Sequence, residues 1–178
     1  SAWNARFGRA AIGRLVPASS INSASPQSDR DSKLMARSDF RYFWPTRVRY
    51  SEIDNQEIVF NAHYLTYFDC AITEYLVEIG YDYAAEVEET NHDFHTVRAV
   101  VEWKAPIVKR EDIEVFVGPG RIGRSSMTFN FEVHPAGNED LRTTGEVVWV
   151  YTNQATHESA PLPQKLLDLI EAFEGKKE

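Results

Sequence analysis

One carboxylate stands apart in the stretch "YSEIDNQEIVFNAHYLTYF", Tyr50 to Phe68. Asp54 lies in a short polar break between an apparent strand and an apolar helix, and nothing local pairs its charge. An aspartate in such a break commonly caps its own loop. A second role comes from the segment seven residues on, where a helix is expected to begin at Asn61. The first turn of a helix presents unpaired backbone N–H groups and the positive end of the helix dipole. Amides near Asn61 and Ala62 could therefore polarise a carbonyl and hold an oxyanion. A carboxylate beside them could attack an activated acyl group or deprotonate a water.

Other constellations carry less chemistry. "GPGRIG", Gly118 to Gly123, satisfies the dinucleotide fingerprint letter for letter. That fingerprint needs a following helix to seat the pyrophosphate, and here a strand follows, so a hairpin turn is expected. Ser125 and Ser126 open a strand rather than sit on a strand-to-helix elbow, which leaves them without the setting of a nucleophile. His92 and His95 in "HDFH" have no evident third metal ligand, and no metal is expected. His63 has no acid or thiol at a telling spacing and reads as a surface or interface residue. The helix acids Asp69 and Glu74 could assist only if they face the same cleft, with Glu74 the better candidate. Cys70, the single cysteine, lies among apolar helix neighbours that would raise its thiol pKa.

The elements that must hold these residues are legible from Phe40 onward. "TRVRY", with Thr46, Val48 and Tyr50 on one face, has the period of a half-buried strand, and so do "TVRAVVEW", "DIEVFV", "MTFNFEV" and "EVVWVY". Their close succession, with a turn at "HPAGNED", predicts antiparallel pairing. One long helix interrupts them, with Leu65, Phe68, Ile72, Leu76 and Ile79 at steps of three and four, Asn61 as N-cap and Gly80 just past the end. Tyr64, Tyr67, Ala71 and Tyr75 widen its apolar surface beyond one stripe, so the sheet must wrap it. A second helix opens at Pro163 with Leu166, Leu167, Ile170 and Phe173. The fold class is α+β, a five-stranded antiparallel sheet curled around one central helix.

The chain's 178 residues suit one core, and no apolar run is long enough for a membrane span. Residues 1 to 37 carry six Lys and Arg against two Asp, a net +4, which leaves −12 for the remainder of a chain whose total is −8. An acidic body argues against nucleic acid as a partner. Residues 1–39 read as a basic N-terminal extension, flexible or targeting, ahead of a domain at 40–178. Its Arg, Ser and Ala content, free of acids through Ser28, has the look of a mitochondrial transit peptide, with a bacterial leader, a tag remnant or a flexible arm as the alternative. A cytoplasmic location is the expectation, with the mitochondrial matrix as the alternative.

The segment "RVRYSEIDNQEIVFNAHYLTYFDCAITEYL", with "VEWKAPIVKREDIEVFVG", "RIGRSSMTFNFEV" and "GEVVWVYTNQATHESAPLP", resembles the hotdog-fold acyl-CoA thioesterases of the 4-hydroxybenzoyl-CoA thioesterase type. The likeness covers roughly residues 40 to 165. It implies a hotdog fold, hydrolysis of an acyl-CoA or acyl-carrier-protein thioester, and active sites between subunits of a homodimer or homotetramer. It assigns Asp54 as nucleophile or general base, and the Asn61 backbone amide as the donor to the thioester oxygen. Coenzyme A enters as part of the substrate, with no cofactor required. Of the cations Lys104, Lys109, Arg110, Arg121 and Arg124, Arg121 and Arg124, with Ser125, are the first choice for the coenzyme's phosphates. The chain leaves the family pattern at Glu57, where many relatives have Gly, and at Asn61, where His is frequent. A non-catalytic hotdog module that binds an acyl chain or scaffolds an assembly is the competing reading. A hotdog hydratase would need a His and a carboxylate facing across the cleft, and no such pair is evident.

Overall fold

The computed structural model describes residues 37–175, which lie within one compact unit. The basic extension up to residue 36 lies outside the described residues. Five strands, β1 (Tyr42–Arg47), β2 (His92–Trp103), β3 (Asp112–Ile122), β4 (Ser126–Pro135) and β5 (Thr143–Asn153), form one sheet in the order β1-β3-β4-β5-β2, antiparallel throughout. Three helices accompany them: α1 (His63–Glu78), α2 (Tyr83–Thr90) and α3 (Gln164–Glu174). Among the described residues no helix is long and apolar enough to cross a membrane.

The sheet curls around α1, the hotdog arrangement. Tyr64, Tyr67, Phe68, Ala71, Ile72, Tyr75 and Leu76 are all buried, so the breadth of the helix's apolar surface is used. Leu65 is the exception to the expected stripe: it is exposed, because it points away from the sheet. Packing is tight at Gly145 on β5, where a Cβ would lie 2.3 Å from the Phe68 ring. Phe68 in turn stacks on Phe131 with centroids 4.2 Å apart. α3 closes the core with Leu166 and Ile170, and its Glu174 accepts a hydrogen bond from the Tyr75 hydroxyl at 2.9 Å.

Four expectations shift. The first strand lies four residues earlier than "TRVRY". Pro45 falls within it, which is tolerated because β1 is a sheet edge. After Arg47 the chain turns inward at buried Val48 and then forms a single 3-10 turn at Tyr50–Glu52, leaving Tyr50 96% exposed rather than on the strand face. The "GPGRIG" segment is mostly strand: β3 continues through Ile122 with a register irregularity after Pro119, and the turn is the short step Gly123 to Ser125. The eight-residue α2 was unforeseen, because its acidic sequence buries nothing fully. Its signals are Asp82, which caps Ala85 N–H at 3.0 Å, and Asn91, which ends it at φ +55°.

β2 is the other edge. Eleven of its twelve residues pair with β5, the register slipping at Val97, and its other side pairs with no strand among the described residues. Its apolar side chains include Val97 and Trp103, 60% and 53% exposed, and Val77 on α1 is 65% exposed.

Candidate active site

Asp54 sits at the tip of a loop that leaves the chain at Glu52 and returns at Phe60. Phe60 N–H donates to Glu52 O, and Asp54 N–H to Ile58 O, both at 2.9 Å, with a bridge between Ile53 and Val59. The returning arm is held from outside by Val59 N–H to Ile107 O at 2.9 Å and by a bridge from Ile58 to Val108. At the tip, Asp54 Oδ1 accepts Gln56 N–H at 2.7 Å. The loop-capping role therefore exists, and it orients the carboxylate without consuming it: Oδ2 accepts no hydrogen bond among the described residues.

α1 starts one position later than expected. Its N-cap is Ala62, already helical at φ −66° and ψ −25°, and no side chain caps it, so Asn61 is not the cap. His63 N–H donates to Phe60 O at 3.0 Å and Tyr64 N–H to Asn61 O at 3.4 Å. The N–H groups of Asn61 and Ala62 have no acceptor among the described residues. These two amides therefore stand free at the N-terminal, positive end of a sixteen-residue helix.

A cavity of about 590 Å³ joins the two features, lined by Asp54, Gln56, Phe60, Asn61, Tyr64, Trp103 and Lys104 among others. Trp103 meets Tyr64 edge to face with centroids 5.8 Å apart, giving the cavity an aromatic wall. Burial raises the Tyr64 phenol above its ordinary pKa, so it is neutral at physiological pH.

Glu57 adds its charge at the rim. It is exposed and ion-paired with Lys109, so the charge is answered locally. Its backbone stands at φ +63°, a left-handed conformation that favours glycine. Glu57→Gly should raise stability by about 0.5–1 kcal/mol, the relieved strain outweighing an exposed ion pair. A urea midpoint below that of wild type would contradict this.

Other sequence candidates lie elsewhere. Glu74 does not line the cavity; with Glu78 it raises the pKa of the Tyr42 phenol, after burial, at the β1 side of α1. Asp69 lines a second, mainly apolar cavity of about 640 Å³ with Thr73, Val77, Tyr81 and Trp149, and burial raises its carboxyl pKa. Burial likewise pushes the Cys70 thiol up. Arg121, Arg124 and Ser125 flank the β3–β4 turn, where Ser126 pairs with Val150 near the far end of β5. Trp103 pairs with Thr143 at its start. Seven strand residues separate those rows, roughly 23 Å at about 3.3 Å each. The cation brought to the cavity is Lys104, itself 3.1 Å from Glu102. His92 stacks on Tyr151 and His95 approaches Gln154, and among the described residues no group of three or more His, Cys, Asp or Glu is placed to hold a metal.

The family model described as the thioesterase-like superfamily matches residues 48–170, well over half of the chain. The chain belongs to that superfamily. A protein of Aquifex aeolicus (strain VF5) is 27% identical over 92 residues, 52% of this thioesterase-like chain and 71% of its own. The solved 1,4-dihydroxy-2-naphthoyl-CoA thioesterase Slr0204 from Synechocystis superposes with a TM-score of 0.68 at 16% identity, over 72% of this chain and 94% of its own. The Staphylococcus aureus protein SAV2348, solved in complex with CoA, gives 0.69 at 15% identity, over 76% and 85%. PA5185 from Pseudomonas aeruginosa gives 0.68 at 25% identity, over 77% and 94%.

Proposed function

We propose that this protein hydrolyses an acyl-CoA or acyl-carrier-protein thioester to the free acid and thiol. The observation that carries the reading is the cavity that gathers Asp54 and Asn61 against an aromatic wall, with the amides of Asn61 and the adjoining Ala62 finding no acceptor among the described residues. The thioester oxygen would sit on those amides, at the end of the helix dipole. Asp54 Oδ2 would either attack the carbonyl carbon directly or take a proton from an attacking water. The collapsing intermediate breaks the C–S bond and releases the thiolate; on the water route this gives the free acid, and on the direct route it leaves a mixed anhydride on Asp54 that a water then hydrolyses to the free acid, restoring the carboxylate. Either route forms a tetrahedral oxyanion, which is why donors placed beforehand count for more than the choice of nucleophile. A thioester carbonyl is electrophilic enough that the reading asks for no metal or redox cofactor.

Superfamily membership supports thioester hydrolysis, and the neighbours' aryl-CoA substrate and bound CoA favour a coenzyme A thioester. Lys104, which lines the cavity, would be the same protomer's cation for a phosphate. Arg121, Arg124 and Ser125, at the other end of the sheet, would serve this site only if a second copy supplied them. That favours a homodimer joined along β2, whose long unpaired edge and exposed Val97 and Trp103 are otherwise an aggregation risk.

A panel of aliphatic and aromatic acyl-CoAs, followed by trapping of free thiol, tests the function. Turnover on at least one member, at a rate well above buffer hydrolysis, is expected. Saturable binding of acyl-CoA with no turnover on any member would instead establish the non-catalytic binding module.

A further inference from the structure

We infer that Glu52 is a positioning residue for Asp54, acting through a buried hydrogen bond to Tyr67 that ties the Asp54 loop to the helix carrying the oxyanion amides. The inference rests on the thioesterase reading for its kinetic consequence, and on geometry alone for the tie itself. Glu52 is one of the few buried charged side chains, 7% exposed, and Tyr67 is 2% exposed. The Tyr67 hydroxyl donates to Glu52 Oε2 at 2.7 Å, and Arg49 N–H donates to the same oxygen at 2.7 Å. The Glu52 carbonyl meanwhile accepts Phe60 N–H at 2.9 Å, closing the base of the loop that displays Asp54 two residues later. One residue thus joins both arms of the loop to α1, little more than a turn beyond Ala62.

The Tyr67 hydroxyl keeps its proton in the neutral range. Burial first, and then the Glu52 carboxylate, push the Tyr67 phenol well above its ordinary pKa, so it remains a donor. A buried carboxylate is costly unless hydrogen-bonded, and an apolar side chain here could pack the loop on the helix without setting its angle. Catalytic geometry is that demanding: a misplacement of about 1 Å can cost on the order of 10²-fold. The same helix offers an internal comparison. Tyr75, two turns further on, donates to Glu174 at 2.9 Å in a similar Tyr–Glu bond that touches neither the loop nor the cavity.

The test compares Tyr67→Phe with Tyr75→Phe in the full chain. In Tyr67→Phe, kcat should fall about 10- to 100-fold with KM within about twofold, and the amides of Gln56, Glu57 and Phe60 should exchange deuterium faster. Tyr75→Phe should keep wild-type kcat and loop exchange despite losing a comparable bond. Glu52→Gln, which retains one acceptor oxygen, should lie between wild type and Glu52→Ala. Equal kcat and equal loop exchange in the two Tyr→Phe variants would overturn the inference. If the wild-type protein hydrolyses no thioester, the functional reading falls by itself. The exchange comparison then decides the tie, which unchanged protection of Gln56 and Phe60 in Tyr67→Phe would refute.

Discussion

Asp54→Asn should lower kcat by about 10²–10⁴-fold, with KM changed by no more than a few fold. That range corresponds to about 2.7–5.4 kcal/mol of transition-state stabilisation. The substitution is well suited to isolate chemistry. Asn has nearly the same shape and keeps an Oδ1 that can accept Gln56 N–H, so the 2.7 Å bond orienting the loop survives. What it removes is the negative charge and basicity of the second oxygen, needed equally for attack on the carbonyl and for activation of water. The amides of Asn61 and Ala62 remain, and a residual rate above buffer hydrolysis is therefore expected from oxyanion binding alone. A variant that turns over within twofold of wild type would remove Asp54 from the mechanism and move the search to Tyr64 and Trp103 across the cavity.

The largest stability effect is expected away from the chemistry. Gly145→Ala should destabilise the fold by about 1–3 kcal/mol, a fall in melting temperature of roughly 2–12 °C for a domain of this size. Replacing glycine within a strand ordinarily helps, since glycine weakens strands. Here the sign is reversed by contact. The new methyl would lie 2.3 and 2.4 Å from two Phe68 ring atoms, and that ring is fully buried and stacked on Phe131, so it has nowhere to rotate. Either Phe68 or β5 must shift, and Phe68 lies one residue past the Tyr67 that bonds Glu52. A Gly145→Ala melting curve superimposable on wild type would show that the core has slack the packing does not display.

Much of the candidate site was legible because its signals are local. The polar break around Asp54, the interval of seven residues to Asn61 and the aromatic helix behind them are all contiguous, and Asp54 and Asn61 both line one cavity. The second carboxylate and the phosphate contacts were not legible in that way. Glu74 and Asp69 sit on α1, the helix that begins just past Asn61 and Ala62, yet helical rotation and distance take them to other surfaces. Arg121 and Arg124 drew notice by clustering at a glycine-rich turn, whereas Lys104 reaches the cavity because the end of β2 runs beside α1, a relation no spacing encodes.

What the amino-acid order determined by itself was the set of elements and the faces they bury. Period-two and helical patterns specify the number and order of the five strands, though not their ends, and the breadth of apolar surface on α1, and hence a sheet wrapped around a helix. These are consequences of short-range geometry and of the free energy of apolar burial. Tertiary structure alone decided which polar groups meet. The glutamate two residues before Asp54 turns inward to Tyr67, and Glu57 occupies a glycine-like backbone yet finds Lys109. The β2 edge leaves Val97 and Trp103 largely uncovered. Each depends on where separate segments cross in three dimensions, and hydrogen bonds of about 3 Å demand a precision that hydrophobic pattern does not carry.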